Sequence, residues 1–414
     1  MEYGVIGEHL THSFSKEIHN LITDYTYEIR EIPKEQLGKF MEEHPFRAIN
    51  VTIPYKQDVI PYLSFISPQA EAIHAVNTIV NRDGKLYGYN TDYFGLSSLI
   101  KKIGINLTNK KVLILGTGGT SLTARLIAKD ANAKVVYRVS RAPKEDDCIS
   151  YEQATALHND SQVIINTTPC GMYPNIDGIP IDITKFPNLE GVVDAIYNPL
   201  RSRLVLKAKE LGVPAQGGLY MLVAQAVQAV EHFIDTTLPD EVIEKVYQQL
   251  VYQKENVVLV GMPGCGKTTI GKLLAQKLNR PFVDMDDEIV KEIGCSISDY
   301  FEANGEKAFR DIETKIATER IGPMNGAIIA TGGGAVLRDE NVDALRTNGR
   351  LYFIDRPLEQ LVATGDRPTA NTFDRMKKRY EERYHRYCNV CDIHIHSYGV
   401  AQTVANEIAK DFIV

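Results

Sequence analysis

The sequence predicts an α/β protein of more than one domain, and three observations carry that prediction. At 414 residues the chain is too long for a single typical hydrophobic core, so two or three domains are expected. Two buried-strand patterns each run through a glycine-rich turn into an amphipathic helix: KKVLILGTGGTSLTARLIAKD, from Lys110, and VVLVGMPGCGKTTIGKLLAQKL, from Val257. Around them, SQVIINTTP and LEGVVDAIYNP read as parallel strands ending in polar loops, where ligands of open α/β sheets bind.

The residues before Lys110 form a separate α/β segment rich in tyrosine and charge. Within it NVTIPYK ends a strand-like run at Lys56, and YNTDYFG brings Asp92 in a second polar turn. A lysine and an aspartate in one pocket can trade a proton with a carbonyl or hydroxyl, the aspartate positioning the lysine and tuning its acidity. Spacing by itself points rather to a surface ion pair.

In GTGGTS, Gly116 makes the tight turn, Gly118 permits close backbone approach to a pyrophosphate, Gly119 stands beside it, and Ser121 takes the third glycine position. AKVVYRVSR adds a second strand at βαβ spacing, which makes this the core of a dinucleotide-binding domain. That strand ends without the acidic residue that takes a ribose hydroxyl pair; Arg138, Ser140 and Arg141 stand there instead, favouring a 2′-phosphate and hence NADP(H). The alternative is that these arginines are solvated surface residues, and Arg138, inside the strand, is read that way. The run LYMLVAQAVQAVEHFI has a helical apolar pattern and is expected to pack back on the first segment. The main boundary falls near Lys254, where polar YQQLVYQKENV turns into a buried strand. The expected domains are therefore residues 1–105, with 217–250 packing back on them, then 106–216, then 255–414.

The second glycine turn matches G-x-x-x-x-G-K-[ST] between strand and helix, a specific phosphate-loop pattern. Backbone N–H groups around Gly264 and Gly266 would cradle phosphates, Lys267 would bridge the terminal ones, and the Thr268 hydroxyl would ligate Mg²⁺. The loop names a donor, and the acceptor must be sought among the polar residues C-terminal to it. FVDMDDEI places Asp284 and Asp286 two apart at a strand end, pointing in similar directions. AFRDIE supplies Arg310, TGGGAV supplies exposed backbone from Gly332 to Gly334, and GDRPT and EERYHRY supply Arg367 and Arg383. Arginine clamps carboxylate and phosphate, although a surface arginine taken singly is usually just solvated.

Composition narrows the classes further. With 46 basic against 53 acidic residues the formal net charge is −7, which argues against broad nucleic-acid binding but not against small anions. The start, MEYGVIGEHLTH, lacks a basic segment followed by an apolar core, and no apolar run approaches the ~20 residues of a membrane helix, so a cytoplasmic protein without membrane partners is expected. Six scattered cysteines suit reduced thiols. The C-x-x-C of Cys388 and Cys391 lies near His385, His394 and His396, but no second pair follows at zinc-ribbon spacing. It reads instead as a helix end followed by the strand CDIHIHS, whose alternation puts the histidines on one face.

Taken in order, HSFS, NVTIPYK, AVNT, YNTDYFG, GTGGT, NTTPCGM and GLYMLVAQA closely resemble shikimate dehydrogenase over roughly the first 250 residues. The resemblance implies that Ser13 and Ser15 bind the substrate carboxylate, that Thr52, Asn77, Asp92 and Gln225 hold ring hydroxyls, and that Lys56 with Asp92 carries proton transfer. It puts Met172 and Gly218 near the nicotinamide and Tyr197 near the substrate. Two departures stand out, Lys16 in place of the family's usual proline after the serine pair and a short cofactor-binding segment; in addition, the family's basic Asn-Arg-Thr turn is Ser140, Arg141 and Ala142 here.

The motifs of residues 255–414 resemble shikimate kinase. That likeness implies a shikimate site of Asp286, Arg310, Gly333, Gly334 and Arg383, with Asp286 orienting the attacking hydroxyl. ATP would lie on Gly264, Cys265, Gly266, Lys267, Thr268 and Thr269 under a lid bearing Arg367, with Asp284 supporting the metal shell. The fold class implied is an N-terminal substrate-binding α/β domain and a Rossmann NADP-binding domain, followed by a P-loop, nucleoside-monophosphate-kinase-like α/β domain. The expected activity is reduction of 3-dehydroshikimate by NADPH and phosphorylation of the resulting shikimate by ATP with Mg²⁺, the partners being small molecules. Two rivals are a quinate/shikimate dehydrogenase of broader specificity fused to a kinase, and a ligand-sensing repressor. A repressor could have lost Lys56, Asp92 or Lys267, all present, and should carry a DNA-binding surface that the acidic composition does not suggest.

Overall fold

The computed structural model describes residues 1–10, 14–144, 146–361 and 373–413. Ser13 and Arg367 lie outside the described residues. The chain divides into two compact units, Met1–Asn198 with Leu204–Gln249, and Pro199–Arg203 with Leu250–Val414.

In the first unit, β1 (Tyr3–Gly7), β2 (Tyr27–Glu31), β3 (Ala48–Val51), β4 (Phe65–Ile66), β5 (Thr78–Arg82) and β6 (Lys85–Tyr89) form one sheet in the order β2-β1-β3-β5-β6-β4. β1 pairs in parallel with β2 and β3, whereas β5 is antiparallel to β3 and β6. β1 and β3 are buried nearly throughout, as strands covered on both faces must be. One face packs on helix Leu219–Ile234: Ala229 and Phe233 join Tyr3, Val5, Tyr27, Ala48 and Val80 in one cluster. The apolar run after Gly217 thus returns to the first segment, as its periodicity predicts.

The second sheet of this unit is parallel throughout. It contains β7 (Lys111–Leu115), β8 (Val135–Val139), β9 (Cys148–Ile149), β10 (Val163–Asn166), β11 (Gly191–Asp194) and β12 (Ala215–Gln216), ordered β12-β11-β10-β7-β8-β9. This is the doubly wound order, with the reversal of direction between β7 and β10. Helices Asp92–Lys102 and Gly119–Asp130 cover one face, burying Leu96, Leu99, Ala124 and Ile127 against Val112 and Ile114.

Arg138 departs from the surface role expected of it. It is 2 % exposed within β8, and its Nη2 lies 2.7 Å from Asp147 Oδ1. The paired guanidinium holds the Asp147 carboxyl below its usual range. A charge inside a strand enclosed by two parallel neighbours must find such a partner or meet the cost of desolvation.

The second unit is a parallel sheet of β13 (Asn256–Val260), β14 (Phe282–Asp284), β15 (Ile328–Ala330), β16 (Gly349–Asp355) and β17 (Ile393–His396), ordered β14-β15-β13-β16-β17. The central strand β13 is buried at every residue and forms the floor of the core with Ile328, Leu351 and Phe353. Among the described residues no helix is long and apolar enough to cross a membrane.

Candidate active sites

A cavity of about 450 Å³ opens in the first unit beside the ends of β1, β3 and β5. Ser15, Thr52, Lys56, Asn77, Asp92, Met172, Tyr197 and Gln225 all line it. They come from distant stretches. Ser15 starts helix Ser15–Ile22, Thr52 and Lys56 follow β3, Asn77 precedes β5, and Gln225 projects from helix Leu219–Ile234.

Lys56 Nζ lies 2.5 Å from Asp92 Oδ2, with the two side chains 24 % and 9 % exposed. Asp92 is in the first turn of helix Asp92–Lys102, where the positive end of the helix dipole favours a carboxylate. Spacing alone points to a surface ion pair; in the structure the turn after β3 and the helix start bring both residues into the lining of one cavity. Asn77 is fixed by its neighbours: Oδ1 accepts the Thr91 N–H at 2.9 Å and the Thr78 hydroxyl at 3.0 Å. That leaves its amide N–H₂ as the polar end offered to a ligand. Burial pushes the Tyr197 hydroxyl up from its ordinary value.

The floor also contains His19, which no sequence motif singled out. It is buried, stacks on Tyr27 with ring centroids 3.9 Å apart, and shares a 2.7 Å hydrogen bond with the Tyr25 hydroxyl. Burial lowers its pKa from 6.5 to about 3, against a smaller opposing contribution from Asn50, so the ring is neutral. The apolar spacing of Ile18 and Leu21 disguises it as a surface position of a short helix.

The dinucleotide loop stands at the carboxyl end of the second sheet. Gly116 has φ +104°, a turn an L-residue resists, and its N–H donates to Val139 O at 2.8 Å. Gly118 caps helix Gly119–Asp130, and at Gly118 and Gly119 an added Cβ would meet no atom within 4 Å. This is open backbone at a helix N-terminus, which fits a pyrophosphate. Because Leu115 is in register with Val139, Ser140 and Arg141 emerge beside that turn. Arg141 is exposed, and Ser140 Oγ accepts the Ala142 N–H at 3.2 Å. Gly218 lies outside the cavity lining; it precedes helix Leu219–Ile234, and its N–H donates to Ile196 O at 2.7 Å.

The second unit has a cavity of about 650 Å³ lined by Gly264, Gly266, Lys267, Thr268, Thr269, Asp284, Asp286, Arg310, Gly333, Gly334 and Arg383. Gly264 and Gly266 have φ of +82° and +97°, left-handed backbone of the kind from which anion-binding nests of N–H groups are built. Lys267 is folded onto its own loop, donating to Gly261 O at 2.8 Å and Met262 O at 3.0 Å. Cys265 is outside the lining, its thiol fully buried in the core cluster. The Thr268 hydroxyl donates to Asp284 Oδ2 at 2.8 Å, which brings two hard oxygen ligands together and fits Mg²⁺.

Asp284 and Asp286 share the cavity for a reason other than strand alternation. β14 ends at Asp284, which caps helix Met285–Ile293 by accepting the Asp286 N–H at 3.1 Å, so Asp286 lies in the first helical turn. The glycine run lines the cavity with Gly332 and Gly334 buried and Gly333 half-buried, and a Cβ on Gly334 would collide with the Arg310 guanidinium. Only glycine lets the Arg310 guanidinium approach this backbone. Arg383, 6 % exposed, donates from Nη1 to Gly333 O at 3.1 Å.

Three charged residues here were missed from sequence: Glu313, Arg356 and Arg379. Glu313 is 1 % exposed and pairs with Arg310 at 2.5 Å; burial pushes its carboxyl up while Arg310 opposes the shift. Its three-residue spacing from Arg310 on one helix was the available signal. With Arg310 and Arg383, Arg356 and Arg379 make this a cation-rich cavity.

Comparison with known proteins finds a different family at each end of the chain. The "Shikimate dehydrogenase substrate binding domain" family matches residues 5–79, and "Shikimate kinase" matches residues 263–413. Shikimate dehydrogenase (NADP(+)) of Clostridium beijerinckii is 38 % identical over 261 residues, covering 59 % of this chain and 96 % of that protein. A chorismate mutase/shikimate 5-dehydrogenase fusion protein from Clostridium acetobutylicum is similar in structure, with TM-score 0.57 and 36 % identity over 60 % of this chain and 96 % of that one. Shikimate 5-dehydrogenase from Thermus thermophilus, solved with NADP(H) and shikimate, aligns with TM-score 0.54 and 28 % identity over 60 % of this chain and 99 % of that one. The chain belongs to the shikimate dehydrogenase family and carries a shikimate kinase domain after it.

Proposed function

We propose that this chain catalyses two consecutive steps of the shikimate pathway: NADPH-dependent reduction of 3-dehydroshikimate to shikimate, and ATP-dependent phosphorylation of shikimate at its 3-hydroxyl. The observation that carries the reading is the presence, on one chain, of a Lys56–Asp92 pair lining one cavity and a phosphate loop whose own cavity is lined by Lys267, Arg310 and Arg383. We assign residues 1–105 with 217–250 to the dehydrogenase substrate domain, 106–216 to the NADP domain and 255–414 to the kinase.

In the reduction, NADPH supplies the hydride when bound against Gly116, Gly118 and Gly119, with Ser140 and Arg141 meeting its 2′-phosphate and Met172 and Gly218 beside its nicotinamide. Lys56 gives the proton to the oxygen of the former ketone, and Asp92 holds the ammonium in place and accepts from a ring hydroxyl. Ser13 and Ser15 bind the carboxylate, Thr52, Asn77 and Gln225 the hydroxyls, and Tyr197 closes the pocket. The neutral His19 beneath them lets the floor accept a polyhydroxylated anion without adding a charge of its own.

In the phosphorylation, ATP supplies the phosphoryl group; Mg²⁺ would be held by Thr268 with Asp284 behind it and would supply charge neutralisation for the transferring phosphate. Lys267 exchanges the loop carbonyls for the terminal phosphates, and the amides of residues 264–269, including Cys265, cradle the others. Arg310 and Arg383 clamp the shikimate carboxylate with the amides of Gly333 and Gly334, Asp286 orients the attacking hydroxyl, and Arg367 covers ATP. Glu313 acts through Arg310 by fixing its guanidinium.

Both reactions draw on small soluble metabolites, and the free cysteines suit a reducing compartment; the cytoplasm is the assignment. Purified protein supplied with 3-dehydroshikimate, NADPH, ATP and Mg²⁺ should consume NADPH and release ADP, with ADP release dependent on NADPH. Failure of either signal removes the corresponding half of the proposal.

A further inference from the structure

The sheet of the second unit carries a cluster of ligating atoms that neither reaction uses. Along β17 the residues alternate Ile393, His394, Ile395, His396, so both imidazoles share one face while Ile395 is buried on the other. β16 runs parallel beside it, with Asp355 in register with His396. Pleat and register bring His394 Nε2 to 2.8 Å and His396 Nδ1 to 3.6 Å from the same oxygen, Asp355 Oδ2. Among the described residues, this is the one group of three or more histidine, cysteine and carboxylate ligands whose atoms all lie within 4.8 Å of one another.

We propose that Asp355, His394 and His396 form a binding site for one divalent transition-metal ion, best matched by Zn²⁺. Two imidazoles and a carboxylate are a borderline donor set that suits zinc or cobalt and suits Mg²⁺ poorly. Ligand atoms bonded tetrahedrally to zinc at about 2.0–2.1 Å stand roughly 3.3 Å apart. The separations of 2.8 and 3.6 Å straddle that value, so modest side-chain rotation admits the ion. The Tyr384 hydroxyl donates to Asp355 Oδ2 at 3.0 Å, an outer hydrogen bond of the kind that orients a ligating carboxylate.

Exposure is graded across the cluster, from 10 % at Asp355 through 31 % at His394 to 57 % at His396. Asp355 thus anchors the inner side, and the outer side beside His396 is open for water to complete the shell. None of the three residues lines either catalytic cavity, so the site is separate from the Mg²⁺ of phosphoryl transfer. Cys388 and Cys391 stay outside it: the Cys391 thiol donates to Cys388 O at 3.5 Å.

The test is a titration of the full chain, stripped of metal and held under a non-thiol reductant, with Zn²⁺ and separately with Co²⁺. Equilibrium dialysis reads stoichiometry, and the visible Co²⁺ absorption reads ligand type. The expected result is one ion per chain, bound at least about tenfold more weakly by His394→Gln and by His396→Gln. A Cys388→Ser, Cys391→Ser double variant should bind as the parent does, and every variant should retain both turnovers. Absence of uptake at micromolar metal, uptake unaffected by either histidine variant, or uptake abolished by the cysteine variant overturns the assignment.

Discussion

Lys56 Nζ and Asp92 Oδ2 are 2.5 Å apart although 36 residues separate them in the chain. The contact joins the turn after β3 to the first turn of helix Asp92–Lys102, in a cavity rather than on the surface. A proton donor acts mainly in the transition state, so Lys56→Ala should lower dehydrogenase kcat by roughly 10²-fold or more, with a smaller change in KM. Kinase turnover should be unchanged. Near-normal kcat with a raised KM would make Lys56 a binding residue.

At the dinucleotide turn, Arg141→Ala should discriminate between cofactors. A charge-assisted contact to a 2′-phosphate contributes about 1.5–3 kcal/mol, or roughly a tenfold to hundredfold loss for NADPH. NADH lacks that group and should be little affected. The ratio of kcat/KM values for the two cofactors is the measurement, and equal losses would place the guanidinium elsewhere.

The kinase cavity separates two cations by role. Lys267→Ala should abolish phosphoryl transfer, since the lysine adjoins the terminal phosphates. Arg383→Ala should chiefly raise the KM for shikimate, by about tenfold or more for a lost charged hydrogen bond. An unchanged shikimate KM in the second variant counts against the acceptor site proposed.

Glu313 offers a test of the support beneath that site. It is 1 % exposed and paired with Arg310, and breaking such a buried pair from one side costs about 3–5 kcal/mol. Glu313→Leu should therefore lower the urea midpoint of the second unit markedly and weaken shikimate binding. Loss of neither would show that Arg310 is positioned without it.

The pH dependence of the first unit should carry the mark of His19. Its folded pKa of about 3 lies below the ordinary 6.5, so under acid conditions the unfolded chain takes a proton that the folded chain refuses. This contribution is fully present above about pH 6.5 and falls by up to roughly 1.4 kcal/mol per pH unit as the pH drops towards 3. Hydrogen exchange in helix Leu219–Ile234 should accelerate on acidification, after correction for intrinsic rates, and His19→Gln should flatten that slope. An identical slope in the variant would assign the acid sensitivity to other groups.

Much of this protein was legible in the chain because its chemistry is written locally. A phosphate loop such as GMPGCGKTT is one contiguous stretch whose glycines supply the turns and whose next residues start the helix. The same holds for GTGGT, and buried strands such as KVLIL and NVVLV identify themselves by unbroken apolar runs. The residue types that line both cavities were readable from motifs, but their partners were not. Arg138 looks like a surface residue in the sequence and is buried on Asp147; no motif marks Glu313, which is fixed to Arg310; Asp286 owes its direction to a helix start rather than a strand. The convergence of Asp355 with His394 and His396 depends on two parallel strands lying side by side in one register. Local pattern determines which face a side chain takes along its own element. Which charge meets it from another element is decided only when sheet order and register are set, because a buried ionic group takes its environment from residues remote in sequence.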